Sequence, residues 1–441
     1  MMGSDRLLSI IQRALAFSSA DQTEVTIGRA DTELTRVANN VIHQHVAEAS
    51  VQVAVRVALN GRLGLSSTSR LDDAALRETV ETAVAVAANS QVDPEFPGFP
   101  GAQAYAPVKA FDAETAGQDP RERALAIARV TGRARRSSLS VAGYLAATAG
   151  ELAMGNSLGL TAYHDYTRAG VTFVVSSPHG SGYASDEAVS MRRLGVDEAA
   201  ARAQEKCLLN QNQVDIEPGP YTVILEPEAV ATFLSGLTVG FSGEAVKDGR
   251  SPLGRLIGQK LVGENISLWD DGLDPRGEPL PFDAEGTPKR RVDLIQDGVI
   301  KSVVHSRSSA AGLPGAVSTG HAVSGRGPGV GVFPAHVFMA TGNASLEEMI
   351  ASTSRGLLVT RFWYHRVVHP MRTLVTGLTR DGTFLVEDGR VVAATKNLRY
   401  THPVVEALNH VEAVGSEARW CGMHVPALKI RGFMFTGVTT H

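Results

Sequence analysis

The chain has 441 residues, of which 43% are hydrophobic and 20% charged, and its formal net charge is −4. This length allows two or three domains with sizeable cores. Charges form no long run of one sign, so we expect no nucleic-acid surface. With only Cys207 and Cys421 and no apolar window approaching 18 residues, the sequence favours a cytoplasmic protein without a membrane span.

The N-terminal half alternates between helical and strand-like patterns. Apolar residues at helical spacing over residues 7–17 predict an opening amphipathic helix rather than a signal peptide. The alternation from Val51 to Val57 predicts a half-buried strand, and Asn60-Gly61 predicts a hairpin turn after it. Further elements are predicted at residues 25–27 (strand), 71–88 (helix capped by Asp72 or Asp73), 120–136 (helix with Pro120 in its first turn), 171–175 (strand) and 197–209 (helix with Cys207 in the core).

Two segments rich in proline and glycine divide the chain. Residues 92–119 predict a loop or linker, and Pro218-Gly219-Pro220 marks the best candidate for a domain boundary. We therefore expect an N-terminal α+β domain over residues 1–217 and a C-terminal β-rich domain over residues 218–441.

The second half consists mainly of strand-like runs separated by glycine-rich turns. Asp297-Gly298, Asp381-Gly382 and Asp388-Gly389 each stand between apolar segments, which predicts hairpin turns. The predicted fold class is α+β, with antiparallel strands and flanking helices in the first domain and a largely antiparallel sheet with few helices in the second. The predicted strands are 221–225, 291–295, 299–305, 356–368, 373–378 and 383–386, and the predicted helices are 229–240 and 345–354.

Common motifs for phosphate binding and serine hydrolysis are absent from the sequence. The glycine-rich stretches at 325–331 and 155–159 lack the lysine or the strand-to-helix context of a nucleotide loop. No Gly-x-Ser-x-Gly motif is present, and no Ser-x-x-Lys motif stands at a helix start with supporting elements. The sequence therefore supports neither function.

Metal-binding patterns are weak. There is no His-Glu-x-x-His motif, but His365 and His369 would share one face of a helix. The surrounding β-branched and aromatic residues instead predict a strand, on which the imidazoles would lie about 13 Å apart, too far to share zinc. Cys421 and His424 have the gap of a metal hairpin but no clear second half, so ordinary packing is favoured.

Several other polar residues are expected to be structural. His43 and His45 alternate on a predicted strand and should lie at the surface. Asp270, Asp271, Asp283 and Glu285 stand in a loop-rich stretch, where paired acids could do acid–base work but solvated turns and caps are favoured.

A resemblance to a known family covers almost the whole chain. The fragments that carry it run in order, and each is weak alone, but together they are highly specific. They lie at 36–44 (RVANNVIHQ), 55–72, 93–100, 155–160 (GNSLGL), 219–230 (GPYTVILEPEAV), 248–261, 281–310 (beginning PFDAEGTPKRR), 318–322 (STGHA) and 378–392. The chain is identified by these fragments as similar to the TldD/PmbA family, also called the modulator of DNA gyrase or peptidase U62 family.

The resemblance implies a departure at the family's metal site. The TldD branch resembles a zinc peptidase, with a His-Glu-x-x-x-His helix completed by a cysteine near the C-terminus. Here Pro227 and Thr232 stand where the two histidines belong, and Glu228 remains between them. Cys421 falls near the place of the third ligand. A carboxylate without its metal has no metal-bound water to activate.

This pattern is similar to the PmbA (TldE) branch, whose members lack the metal motif. The resemblance then implies no cofactor in this chain and zinc in a TldD-like partner, with peptides or small amides entering a cavity formed by both subunits. A homodimer is the alternative. Direct binding of nucleic acid or membrane is not implied. The candidate cavity or substrate residues are Tyr364, His365, His369, Arg380 and His402.

Three functional hypotheses follow. The first is a non-catalytic, TldE-like subunit of a metallopeptidase-type hydrolase. The second is a self-sufficient hydrolase of a specialised biosynthetic pathway that uses His365, His369, Cys421 or His424, with Glu228 as a further catalytic candidate. The third is a non-enzymatic regulatory protein.

Overall fold

The computed structural model describes residues 1–311, 313–325, 327 and 329–438. Two positions of the glycine-rich stretch 325–331, Arg326 and Pro328, lie outside the described residues. The N-terminal half contains six strands, namely β1 (Gln22–Ala38), β2 (Val41–Leu59), β3 (Arg62–Thr68), β4 (Ser140–Asn156), β5 (Thr161–Ser177) and β6 (Gly180–Ala188). These strands form one antiparallel sheet in the order β3-β2-β1-β4-β5-β6.

Five helices accompany this sheet, namely α1 (Ser4–Leu15), α2 (Asp73–Asn89), α3 (Ala113–Ala116), α4 (Pro120–Arg136) and α5 (Val196–Leu209). Each helix predicted in this half is confirmed. Asp72 rather than Asp73 caps α2, because its Oδ1 accepts a hydrogen bond from the Ala75 amide at 3.1 Å. The hairpin turn at Asn60-Gly61 is also confirmed, with φ angles of 52° and 73° that match a primed turn.

The helices cover one face of the N-terminal sheet. Val25 and Ile27 of β1 pack in a buried cluster with residues of α1 and α2. The alternate residues of the strands point to the other face, where Met154 packs with Phe282 from the second half of the chain. The sheet therefore has no open apolar face at these positions, because the C-terminal half covers it.

The C-terminal half holds a second, larger sheet. The strands of this half are β7 (Pro220–Leu225), β8 (Leu268–Asp270), β9 (Val292–Gln296), β10 (Val299–Ile300), β11 (Ala322–Ser324), β12 (Val330–Val332), β13 (Val337–Met339), β14 (Arg355–His369), β15 (Leu374–Glu387), β16 (Arg390–Ala394), β17 (Leu398–Pro403), β18 (Val411–Trp420) and β19 (His424–Val438). Strands β11 and β12 form a separate two-stranded sheet, and the other eleven form the larger sheet. Its helices are α6 (Pro227–Thr238), α7 (Gly243–Lys247), α8 (Arg307–Ala310), α9 (Leu346–Ala351) and α10 (Val404–Asn409). Short 3₁₀ helices lie at Met191–Arg193, Val239–Phe241, Leu253–Leu256 and Pro370–Arg372.

Five strands of the larger sheet close into a ring. The order runs β19-β17-β15-β14-β7, and β7 pairs again with β19. All pairs in the ring are antiparallel except β14 with β7. Helix α6 packs against four of these strands, β7, β14, β15 and β19. Its side chains from Ala229 to Thr238 are mostly buried, as expected for a helix that is apolar nearly all round.

The predicted α+β fold class is confirmed, with two local corrections. The predicted strands 373–378 and 383–386 are one strand, β15, so Asp381-Gly382 does not form a hairpin turn. Instead the pair forms a bulge, with φ angles of 55° and 130°, and the register with β14 shifts nearby. The strand predicted over 299–305 is only the two-residue β10.

The other two Asp-Gly pairs behave as predicted. Asp297-Gly298 joins β9 to β10, and Asp388-Gly389 joins β15 to β16. Among the helices of the described ranges, none combines the length and the apolar composition that crossing a bilayer requires.

Candidate functional site

Helix α6 is the element that the sequence singled out, and its position is fixed by strand β7. Pro227 occupies the first helical turn, where its missing amide hydrogen costs nothing. Glu228, Thr232 and Ser235 follow at spacings of four and three residues, which places them on one face of the helix. This polar face contrasts with the buried apolar residues around the rest of the helix.

One open cavity of 380 Å³, called here the helix cavity, lies against this face. It brings together two candidates that are far apart in sequence, His365 of β14 and Cys421 of the β18–β19 turn. Thr232 and Ser235 form the helix side of the cavity. The complete lining is Ala231, Thr232, Ser235, His365, Cys421, Gly422 and Met423.

The imidazole of His365 is held from one side only. Its Nδ1 lies 2.6 Å from the hydroxyl of Tyr400 on β17, and its Nε2 has no hydrogen-bond partner within the described part of the chain. Burial lowers the pKa of His365 from 6.5 to about 4. The ring is therefore neutral at pH 7, and one face of the cavity carries an unused polar atom.

Cys421 is a poor nucleophile in this setting. Burial raises the pKa of its thiol well above the ordinary range, and the nearby carboxylate of Glu228 raises it further. A thiol in this state stays protonated, whereas nucleophilic attack needs the thiolate. The other cysteine, Cys207, is fully buried on α5, as predicted.

A second cavity of 380 Å³, called here the interdomain cavity, begins at the first turn of α6. It lies between β6 and α5 of the N-terminal half and strands of the C-terminal half. The hydroxyl of Ser185 on β6 donates to Glu228, and the carbonyl of Ser185 accepts from Arg419 at 2.8 Å and from Arg202 at 3.3 Å. No sequence pattern pointed to Ser185, Arg202 or Arg419, because their contacts depend on how the two halves pack.

The remaining histidine candidates are spread over different places. His369 lies at the exposed end of β14, and the predicted strand around His365 and His369 is confirmed. His402 on β17 is buried and stacks on Phe433, with 5.0 Å between ring centroids. Burial lowers the pKa of His402 and also that of His424, which packs on Phe338 at the start of β19. None of these three lines the helix cavity.

The last two candidates lie on the surface of the same hairpin. Tyr364 on β14 is 64% exposed and has a φ angle of 51°. Arg380 on β15 places its guanidinium 4.8 Å from the ring centroid of Trp363. Neither residue faces the helix cavity, whereas His43 and His45 lie at the surface as predicted.

Three of the four acids expected in solvated turns are instead buried, which corrects the sequence-based prediction for them. Asp271 is half-buried, and its Oδ1 accepts a hydrogen bond from the Leu273 amide at 3.0 Å. Asp270 accepts a hydrogen bond from His321 Nε2 at 2.8 Å and from the backbone amide of His336 at 2.7 Å. Asp283 accepts backbone hydrogen bonds from Glu285, Thr287 and Ala322. Asp270, Asp283 and Glu285 are each at most 5% exposed. Beside Asp283, the ring of Phe282 packs with Met154 of the N-terminal sheet.

Comparison with known proteins identifies the family. A family model described as the PmbA/TldA metallopeptidase C-terminal domain matches residues 218–437, and one described as the PmbA/TldA metallopeptidase domain 1 matches residues 23–87. Together the two models cover more than half of the chain. The chain belongs to the TldD/PmbA family.

Two curated relatives that the chain matches carry metalloprotease names. A metalloprotease of Methanothermobacter thermautotrophicus is 24% identical over 238 residues, which are 53% of this chain and 52% of the relative. A protein named metalloprotease TldD homolog, from Buchnera aphidicola, is 25% identical over 237 residues, 52% of this chain and 48% of the relative. The chain thus spans about half the length of the curated relatives it matches.

A solved structure shares the whole fold. TldE from Thermococcus kodakarensis superposes with a TM-score of 0.89 at 24% identity, over 98% of this chain and 100% of that one. At this identity the agreement demonstrates a common TldD/PmbA fold and no more.

The zinc implied by the family does not fit the residues of α6. Pro227 offers no side-chain donor, and the hydroxyl of Thr232 is a poor substitute for imidazole, so two of the three family ligands are missing and Cys421 would stand alone. Within the described residues, no three His, Cys, Asp or Glu side chains are placed to hold a metal ion.

Proposed function

We propose that this chain is the metal-free, TldE-like subunit of a two-subunit metallopeptidase-type hydrolase. In this proposal a TldD-like partner carries the zinc, and this chain helps to form the cavity that receives a peptide or small amide. The single observation that carries the proposal is the chemistry of α6, which keeps Glu228 but has proline and threonine at the two positions assigned to histidine.

An exposed apolar surface supports a partner subunit. Five large apolar side chains at the end of the β14–β15 hairpin are exposed, namely Trp363, Tyr364, Val367, Val368 and Met371. Monomeric proteins rarely expose an apolar cluster of this size. Arg366 and Arg372 lie exposed among them. Aromatic residues, methionine and arginine are the types enriched at protein interfaces. We call this group the hairpin surface.

The hairpin surface adjoins the helix cavity. His365 stands between Tyr364 and Arg366 on β14 and lines the cavity with its imidazole. A partner bound to the hairpin surface would therefore lie next to His365 in the chain and close to the helix cavity. This arrangement supports a substrate chamber built from two subunits rather than from one.

The experiment compares the chain alone with the chain purified together with a TldD-like subunit. Zinc is measured by mass spectrometry of the metal, and hydrolysis is measured on an unstructured peptide. We expect no stoichiometric zinc and no hydrolysis for the chain alone, and both for the pair.

The competing hypotheses predict different outcomes. One tightly bound zinc and hydrolysis by the chain alone, lost in His365→Ala or Cys421→Ser, would establish the self-sufficient hydrolase. Unchanged hydrolysis by the pair after substitution of residues that line the helix cavity would favour the regulatory protein.

A further inference from the structure

The interdomain cavity has walls of two kinds. Polar and charged side chains converge at Ser185, where the two halves of the molecule meet. Apolar groups of Tyr183, Leu346 and Ala427 complete the lining. With a volume of 380 Å³, the cavity lies at the lower end of the range for small-molecule sites.

Two of the charged residues in this cavity already have partners. Lys206 forms an ion pair with Glu226. Arg419 lies 3.9 Å from Asp186, at the outer limit of an ion pair. Glu347 and Glu417 also line the cavity and are exposed. Arg202 and Glu228 are the two charged residues that contact Ser185 without an ion-pair partner in the described part of the chain.

Arg202 has an unused binding capacity. Within the described part of the chain, no carboxylate lies within ion-pair distance of its guanidinium, and its buried Nε has no hydrogen-bond partner. Its terminal nitrogen shares the Ser185 carbonyl with Arg419, so two positive groups converge on one neutral acceptor. Burial, and then the charge of Arg419, lower the pKa of Arg202, while the carboxylates of Asp186, Glu226 and Glu198 oppose this shift from beyond ion-pair distance. An anion between the two guanidiniums would relieve both the repulsion and the lost solvation.

Glu228 presents the opposite charge at the same place. The hydroxyl of Ser185 donates a hydrogen bond to its carboxylate. No basic side chain among the described residues forms an ion pair with it. A carboxylate with spare acceptor capacity therefore stands beside the two arginines, anchored on the same residue. A ligand that fits both groups carries a negative and a positive charge separated by only a few bonds.

We propose that the interdomain cavity binds a small zwitterion of the α-amino acid type. Its carboxylate contacts Arg202 and Arg419, its ammonium group contacts Glu228, and its side chain lies against Tyr183 and Leu346. This proposal goes beyond the proposed function and does not depend on it, because it requires neither zinc nor a partner subunit.

The test uses the purified full chain. The twenty standard L-amino acids are screened by thermal shift at concentrations up to about 1 mM, and the strongest ligand is then measured by calorimetry. Its amide, which lacks the carboxylate, and its N-acetyl form, which lacks the ammonium group, serve as matched probes. We expect both probes to bind at least about tenfold more weakly than the free amino acid.

Variants assign the binding to the cavity. Arg202→Gln should weaken binding about tenfold or more, and Arg202→Lys should weaken it less, because it keeps the charge but loses the fork of donors. Glu228→Gln should shrink the difference between the amino acid and its N-acetyl form. Glu205→Gln, an exposed change on the same helix as Arg202, should leave affinity unchanged.

Three results would overturn the proposal. They are the absence of binding by any of the twenty amino acids, equal affinity for the free acid and its amide, and wild-type affinity in a folded Arg202→Gln variant. Circular dichroism establishes that each variant is folded, and Arg202→Lys provides a second reading if Arg202→Gln is unstable. Because no step involves zinc, these outcomes are independent of the hydrolysis experiment.

Discussion

At the residue scale, the carboxylate of Asp270 ties three segments together. One oxygen accepts from His321 and the other from the backbone of His336, and both Asp270 and His321 are fully buried. Asp270→Ala would leave a buried imidazole nitrogen and a buried amide without partners. We expect a loss of about 3–5 kcal/mol in the free energy of unfolding, measured by denaturant titration.

A matched surface pair serves as the control for Asp270. Asp293 is exposed and lies 2.9 Å from Arg291. Asp293→Ala should change the free energy of unfolding by less than about 1 kcal/mol, because exposed ion pairs contribute little. Equal effects of the two substitutions would show that the Asp270 contacts are not structural.

Glu285 predicts a pH dependence of stability. Burial raises the pKa of this carboxyl from 4.5 to about 7, although the Arg307 amide donates to it. The folded state therefore holds a proton that the unfolded state releases, so this contribution is complete below pH 4.5 and is lost as the pH rises through 7. Glu285→Gln should remove this pH-dependent part of the free energy of unfolding, which is on the order of 1–3 kcal/mol.

The measurement compares the unfolding free energies of wild type and Glu285→Gln at pH 5 and pH 7.5. Groups that titrate alike in both proteins cancel when the two unfolding free energies are subtracted. Asp283 and Arg56, the charged neighbours of Glu285, are present in both proteins. Parallel pH curves for the two proteins would contradict the raised pKa.

Residue types were easier to foresee than residue environments. His365 and Cys421 were recognisable because histidine and cysteine carry chemistry wherever they lie. The partner of His365, Tyr400, and the burial of Asp270 were not, because the stretch around Asp270 has the composition of a solvated loop. Asp270 is buried against His321 and the backbone of His336, which lie 51 and 66 residues away in sequence, and local composition does not record such contacts.

At the element scale, Gly236 determines how closely α6 approaches the ring of strands. A Cβ at this position would contact Val375 of β15 and come within 3.2 Å of His365 Nε2. Gly236→Ala should therefore destabilise the fold by about 1–3 kcal/mol through overpacking, in spite of the better helix propensity of alanine. Thermal unfolding would measure the change.

Gly132 in helix α4 is the matched control. The nearest atom to a Cβ there is a terminal nitrogen of Arg136 at 3.9 Å, so the substitution meets no obstacle. Gly132→Ala should stabilise the protein by about 0.5–1 kcal/mol. A stabilising effect at both glycines would mean that α6 tolerates a larger separation from β15 than the structure suggests.

Helices and strands with strong local sequence patterns were predictable. Whether a strand ends at an Asp-Gly pair or continues through it was not. The three Asp-Gly pairs look alike in sequence, and two of them form hairpins. At Asp381-Gly382 the strand continues instead, because Arg361 on β14 and Ser181 on β6 bind the Asp381 carboxylate and hold the bulge in the sheet. A choice between a turn and a bulge that depends on such distant partners is outside the reach of a local pattern.

At the scale of the whole molecule, the hairpin surface predicts where a partner binds. Trp363→Glu together with Tyr364→Glu would place charge in the apolar centre of the proposed interface. We expect at least about a hundredfold loss of affinity for a TldD-like subunit, measured by calorimetry or by co-elution in size-exclusion chromatography.

A control change of the same kind lies elsewhere on the molecule. Leu125 on α4 is 62% exposed, and Leu125→Glu should leave partner affinity unchanged. If the hairpin variant binds as wild type does while Leu125→Glu loses binding, the interface belongs on the N-terminal half instead. Retention of homodimers by the hairpin variant would assign self-association to another surface.

The closed ring of strands also determines the order in which the molecule comes apart. Since β7 is paired on both edges and leads directly into α6, this helix has no free edge from which to peel away. We therefore expect the amide hydrogens in the buried body of α6 to exchange slowly with solvent, together with those of β7. Most of the packing of the helix thus lies on its apolar sides, and Glu228 adds one contact to Ser185 from the polar face.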